Sequence, residues 1–327
     1  VCSKTIPGVL AIPGNVTITG GDGYLSCLKS NSLGASAIVT VADSARINFW
    51  EPHTISGLVL SGGEATTEGA GALTITGNVT VQAAPGISSL SGKVYTGPVP
   101  VTWNLSDGPL PTDFIFSGSL GHDGGTAAEV TKLGSGALRV DAAGGMWSDA
   151  ALTIFAGAVE WNDAPASPGP FGPNVALAGG QLHGSGRIRS LTATGGTFSP
   201  GSTFTCDSLT MSAAAAFHAD AGDQLIVEGP VSLSNPTLIL SGNSAGYDAP
   251  WTLVDHRSNL PVTGTFAAMP EGHTFTSAGA ILAITYAAND RNDIALTRIA
   301  PPAPVLSEME LLKAATGSGP ISTSGTG

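Results

Sequence analysis

Gly136-Ala137-Leu138-Arg139-Val140, Gly157-Ala158-Val159-Glu160-Trp161 and Gly180-Gln181-Leu182-His183 repeat one phrase, a glycine followed by apolar residues at every second position. Their starts are 21 and 23 residues apart, and a looser copy stands at Gly71-Ala72-Leu73-Thr74-Ile75. Period-two alternation marks a half-buried strand. A return every 20–25 residues, with glycine at the turns, marks a solenoid. Each coil of a solenoid pairs with the coils above and below, ~4.8 Å away. The core between its sheets is narrow, which favours small and β-branched side chains, and its corners favour glycine.

The same alternation extends in both directions from this stretch. Asn15–Thr19, Ala37–Val41, Ala72–Val81, Ala151–Phe155, Gln224–Val227, Thr237–Leu240 and Ile281–Tyr286 all read as strands. Before residue 300 no segment holds a helical period over 11 residues, and Ala213–Ala216 reads as strand or turn. About 280 residues at ~22 per coil predict on the order of 13 coils, a rod roughly 60 Å long.

Composition agrees. Of 327 residues, 11% are charged and 6% aromatic, with 45 glycines and 22 prolines. A formal charge of −12 leaves no basic patch to meet nucleic acid phosphates. No apolar run approaches the roughly 18–20 residues of a transmembrane helix. The chain opens at Val1 without a basic-plus-apolar leader, which is expected after removal of an export signal. In an oxidising compartment Cys2 and Cys27 can pair, leaving Cys206 as a buried thiol in the strand-like Thr203–Met211.

The chain divides into three stretches. Residues 1–112 are β-rich and read as early coils with a cap. Residues 113–299 carry the clearest repeat. From 300 to 327, Pro301, Pro302 and Pro304 break the strand pattern. There Ser307 and Glu310 form a capping box ahead of a short amphipathic helix, Ser307–Thr316. Leu306, Met309 and Leu312 lie on its apolar side and are the candidate contacts to a neighbouring subunit; residues 317–327 are a Gly/Ser tail.

From residue 113 onward the order of motifs resembles the passenger regions of bacterial autotransporters, in particular the autotransporter-associated β-strand repeat. Lys132-Leu133-Gly134-Ser135-Gly136-Ala137-Leu138 opens the pattern. Leu182-His183-Gly184-Ser185-Gly186, Gly195-Gly196-Thr197-Phe198-Ser199-Pro200-Gly201, Asp223-Gln224-Leu225-Ile226-Val227 and Val231-Ser232-Leu233 continue it. Val262-Thr263-Gly264-Thr265-Phe266 and Asn292–Thr297 resemble the end of a passenger stalk. The resemblance implies a right-handed parallel β-helix displayed outside the cell. After Ala300 no run of ten-residue alternating strands follows. Two readings therefore stay open, a passenger piece or a secreted protein built on the same repeat.

Catalytic signatures are sparse. His53, His122, His183, His218, His256 and His273 lack helical metal-site spacing, and read as turn residues. His122-Asp123 and Asp255-His256 are neighbours whose side chains diverge in a strand. Asp220 with Asp223, and Asp290 with Asp293, are the carboxylate pairs a glycosidase would need, but they look like corners. Gly20–Gly23 and Asn289–Asp293 lack the tandem copies of a calcium repeat. Asn15, Asn78 and Asn104 head Asn-x-Ser/Thr sequons. Trp50, Trp103, Trp147, Trp161 and Trp251 are too separated to form a sugar platform and are expected at coil ends or under loops. No catalytic residue, metal or cofactor is assigned. The expectation is an exported, non-enzymatic β-solenoid that associates with itself; a glycan-binding adhesin stalk and a polysaccharide lyase or hydrolase are the alternatives.

Overall fold

The computed structural model describes residues 12–122, 128–141, 150–162, 172–242 and 250–299. Among these residues every regular element is a β-strand. The chain passes back and forth between two sheets of stacked parallel strands, and this is a β-solenoid. The Cys2 partner proposed for Cys27, the helix at Ser307–Thr316 and its contacts Leu306, Met309 and Leu312 lie outside the described residues.

One sheet follows a single path. Tyr24–Cys27, Arg46–Phe49, Glu64–Thr67, Ser88–Thr96, Phe114–His122, Ala137–Val140, Ala158–Trp161, Gln181–Gly184, Thr197–Pro200, Ala216–Asp220 and Thr237–Ser241 pair in turn, all parallel. The facing sheet climbs in step from Val16–Ile18 through Val101–Leu105, Glu129–Leu133 and Arg187–Ala193 to Thr203–Met211. Eleven rungs on the first path make a stack of about 50 Å. This is shorter than the thirteen coils expected: Trp251–His256 and Thr263–Thr265 still pair parallel with Gln224–Val227 and Val231–Ser234, but the strands after them leave the coil. There Trp251–His256 pairs antiparallel with Asp293–Arg298, which pairs antiparallel with Ala280–Ala288, itself antiparallel to Thr274–Ser277. Residue 112 interrupts nothing in the ladder: Ser88–Thr96 and Phe114–His122 pair over nine consecutive positions.

The core is a set of ladders running along the axis. Leu138, Val159, Leu182, Phe198, Phe217 and Leu238 stack in register on one side. Val39, Leu58, Val79 and Trp103 stack on the other. Each buried Leu, Val or Phe contributes about 1.5–3 kcal/mol by leaving water, so the stack is held by repetition of one modest gain. Trp103 and Trp161 sit fully inside mid-stack coils, not at coil ends. On the next rung Gly184 pairs with Trp161, and a Cβ there would lie 2.2 Å from the Trp161 carbonyl oxygen, so the close approach of the two backbones requires glycine.

The repeated glycines form a column at one corner. Gly157, Gly180 and Gly196 precede paired strands and have φ of 69°, 67° and 72°. A side chain at Gly180 would be strained by that φ and would place its Cβ 2.4 Å from the Gly157 carbonyl oxygen. This is the physical content of the phrase that recurs in the sequence.

Candidate functional site

One groove on the outer face of the eleven-strand path brings together residues far apart in sequence. It encloses about 460 Å³ between the strands Gln181–Gly184, Thr197–Pro200 and Ala216–Asp220 and the turn that follows. His183 pairs with Ser199 across one rung. His218 lies one rung further, its Nδ1 3.2 Å from Ser199 Oγ and its Nε2 2.6 Å from Ser241 Oγ. Gln181 and Thr197 line the neighbouring row, and Asp220 and Asp223 close one end. Alternation places these side chains outward, because Leu182, Phe198 and Phe217 between them fill the core.

The carboxylates of this groove are unequal. Asp223 Oδ2 accepts a hydrogen bond of 3.0 Å from the Asp220 backbone N–H. Burial holds the Asp223 carboxyl above its ordinary range, against the lowering effect of that bond. The Asp223 carbonyl oxygen accepts from Trp251 Nε1 at 2.7 Å, which ties the turn to the antiparallel segment. Ser199, His218 and Ser241 do not make a nucleophile–base–orienter relay, since hydroxyls occupy both imidazole nitrogens and no carboxylate orients the ring. Among the described residues no three His, Cys, Asp or Glu side chains converge as metal ligands.

Elsewhere, buried polar groups are used internally. Lys132 interrupts the apolar ladder between Trp103 and Ile154, and is fully buried. Its Nζ donates to the carbonyl oxygens of Gly134, Gly136 and Ala156 at 2.8, 2.6 and 2.7 Å, which exhausts its three protons. Burial lowers this ammonium to about 8, opposed by Asp113. Asp113 accepts from the N–H groups of Gly108 and Ala137, both at 2.7 Å. Lys132 and Asp113 thus pin one corner across consecutive rungs. Arg187 does the same outside, with Asp207 at 2.5 Å and Glu228 at 2.7 Å. Cys206 is wholly buried, and burial pushes its thiol far up, so it is inert as a nucleophile.

The histidines expected at turns divide by environment. His53 is buried, with Nδ1 2.8 Å from the Glu51 carbonyl oxygen and Nε2 2.8 Å from Ser32 Oγ. His256 is buried beside the Gly229 carbonyl oxygen, while its neighbour Asp255 points away to Arg257, as adjacency in a strand requires. His273 stacks on Phe275 with ring centroids 6.4 Å apart. Asp293 is buried and accepts from the His256 N–H at 2.8 Å, a structural pin. Asn15 and Asn78 spend their side-chain oxygens on the N–H groups of Ile38 and Thr102 in the next coil. The groove, by contrast, assembles several outward-facing polar groups around open volume.

Sequence reading named His183 and His218 singly and paired Asp220 with Asp223 but did not bring the four together, and it gave Ser199, Ser241 and Gln181 no part in a site. The signal was there in the rung register: positions 183, 199 and 218 follow the returning strands Gly180–His183, Thr197–Pro200 and Ala216–Asp220.

The ends of the stack are the second notable surface. At the far end of the eleven-strand path, Thr237–Ser241 pairs with Ala216–Asp220 on one side, and no described strand covers its other edge. Leu238 and Leu240 are half-buried there, and Ile239 is 41% exposed. At the near end Tyr24–Cys27 likewise has one described neighbour, and Tyr24 is 51% exposed. Among the described residues no helix is long and apolar enough to cross a membrane. Comparison with protein-family models, with curated proteins and with solved structures finds no match.

Proposed function

We propose that this protein is an exported, non-enzymatic structural element, a β-solenoid of autotransporter-passenger type that associates end to end with copies of itself. The observation that carries this reading is the unequal finish of the two sheets. Among the described residues one passes at its end into antiparallel pairing, Trp251–His256 with Asp293–Arg298 and Asp293–Arg298 with Ala280–Ala288, while the other stops at Thr237–Ser241 with one edge uncovered. An uncovered strand edge is a template for another strand. The best-matched strand available is Tyr24–Cys27 of a second copy. It belongs to the same sheet, runs in the same direction and lies at the opposite end of the path. Such a contact is heterologous and repeats without closing, so it generates a fibre. The motif order after residue 113, the low charge and the absence of an oriented nucleophile in the groove support an exported, non-catalytic role.

Electron microscopy of the purified full chain, with and without reductant, tests the reading. Filaments whose axial repeat matches one solenoid support it, and Ile239→Lys should shorten or abolish them. Monodisperse rods of about 50 Å at every concentration would overturn it.

A further inference from the structure

We propose that the groove over Gln181–Gly184, Thr197–Pro200 and Ala216–Asp220 is a binding site for an uncharged oligosaccharide lying along the solenoid axis. The inference does not depend on self-association: the groove opens on the outer face of the sheet, and the joint uses the free backbone edge of Thr237–Ser241, the strand next to the groove's last strand Ala216–Asp220.

Volume, spacing and chemistry converge on this ligand. The cavity of about 460 Å³ falls within the range of small-ligand sites. Its floor is periodic: His183, Ser199 and His218 occupy one row on consecutive rungs, with Gln181 and Thr197 in the row beside it. Rungs repeat at ~4.8 Å, close to the length of one pyranose unit in an extended chain. Successive sugars would therefore meet equivalent positions of the protein. The lining is rich in groups that both donate and accept, namely imidazole, hydroxyl and amide, as sugar hydroxyls require. The carboxylates of Asp220 and Asp223 add acceptors, and bonds from hydroxyls to a carboxylate are among the stronger kind.

Other ligand classes fit less well. The lining contains neither Lys nor Arg, so a phosphate or uronate would meet two carboxylates with no lining cation. Leu182 and Pro200 are its apolar members, too little for a lipid, and no aromatic ring forms a cage for a quaternary ammonium. His183 is half-buried and makes no hydrogen bond among the described residues, so its ring polarity is directed to whatever enters the groove. This sets it apart from His53 and Lys132, whose polar atoms are already engaged.

Titration calorimetry on the full chain tests the site, with cello-, chito-, malto- and laminaritetraose as neutral probes and tetragalacturonate as the anionic one. At least one neutral probe should bind one to one with Kd below about 1 mM, and tetragalacturonate should not. His183→Ala and Asp223→Asn should each weaken binding about tenfold without moving Tm, whereas Arg46→Ala, outside the groove, should leave binding unchanged. Failure of all four neutral probes, equal binding of tetragalacturonate, or indifference to His183→Ala would each overturn the proposal. Recovery of the bound ligand intact supports a binding site. Its cleavage would keep the site and overturn the non-catalytic reading alone.

Discussion

The two sheets enter the end of the stack together and leave it differently. In one, the parallel ladder hands over to antiparallel strands: Leu225–Val227 pairs with Val254–His256, and Trp251–Val254 then pairs with Ile294–Leu296 in the opposite sense. An aromatic chain ties this segment to the core, from Phe198 through Phe217 and Phe266 to Tyr286, with centroid separations of 5.7, 5.8 and 6.3 Å. In the other sheet the ladder of described strands stops at Thr237–Ser241. Reversing strand direction ends propagation, because a parallel coil no longer finds its register; a bare parallel edge still presents that register. Among the described residues the first sheet thus reverses direction over part of its end, while Thr263–Thr265 keeps a parallel pairing with Val231–Ser234, and the second sheet ends on a parallel strand alone.

The strongest test of the closed sheet is Phe266→Ala. This ring is fully buried between stack and closing strands, and its removal should cost roughly 3–5 kcal/mol in a urea titration. A single displaced transition would show closing strands and stack unfolding as one unit. A separate early transition, with the main one unmoved, would show that the closing strands only lean on the stack.

Lys132→Met asks whether the middle of the stack relies on a polar pin as heavily as the end relies on an aromatic one. It leaves three carbonyl oxygens without their donor, and should cost about 3 kcal/mol by the same titration. A neutral result would mean that those carbonyls find water and that apolar ladders alone hold the corner.

Tyr286→Phe removes only a hydroxyl, which donates to the Met269 carbonyl oxygen at 2.7 Å and accepts from the Phe266 N–H at 2.9 Å. Burial raises this phenol to about 12, so it stays protonated through the working range. We expect a loss of about 1–2 kcal/mol, with faster hydrogen exchange at the Phe266 amide and no change at Ser88–Thr96.

A pH series sharpens the contrast between the near end and the rest. His53 Nε2 faces the Ser32 N–H at 3.2 Å as well as the Ser32 hydroxyl, so the bonding pattern assigns the proton to Nδ1 and the acceptor to Nε2. Burial holds this imidazole below its ordinary 6.5. The unfolded chain therefore takes up the proton first as pH falls. The contribution of His53 is complete above about 6.5 and is lost as pH drops through the folded value. Urea midpoints measured from pH 8 to 5 should decline below 6.5, and His53→Gln should flatten that decline. An unchanged slope in the variant would assign the pH response to other groups.

The smallest thermodynamic effect belongs to the open sheet. Ile239→Lys changes an outward, 41% exposed side chain, so the monomer's stability should shift by no more than about 0.5 kcal/mol. Its effect should be confined to assembly, read by sedimentation velocity. A large loss of monomer stability would show that Thr237–Ser241 is covered and not a joint.

Strands were legible wherever alternation and punctuation coincided. Ala137–Val140, Ala151–Ile154, Gln224–Val227 and Thr203–Met211 stand where the pattern places them. Period-two hydrophobicity is a property of a strand's own residues, and a glycine forced to positive φ marks a corner whatever lies beyond it. The antiparallel turn after residue 250 was not legible, because Ile281–Tyr286 alternates in the same way whether its neighbour runs with it or against it. The buried Trp103 and Lys132 were hidden for a related reason: a narrow core predicts small residues on average and does not say which rung holds a large ring or a buried ammonium.

By itself, then, the sequence determined the all-β solenoid, its coil period, its glycine corners and the lack of a recognisable catalytic motif, all of which follow from short-range pattern. Tertiary structure alone decided which residues share a rung: His183 with Ser199 and His218, Lys132 with three carbonyl oxygens, and Thr237–Ser241 with one neighbour instead of two. Coil lengths vary from one turn to the next, yet Leu138, Val159, Leu182 and Phe198 stay in register because the loops absorb the difference. Distance along the sequence therefore does not say which residues share a rung, and the sites of a solenoid are known only once the stack is wound.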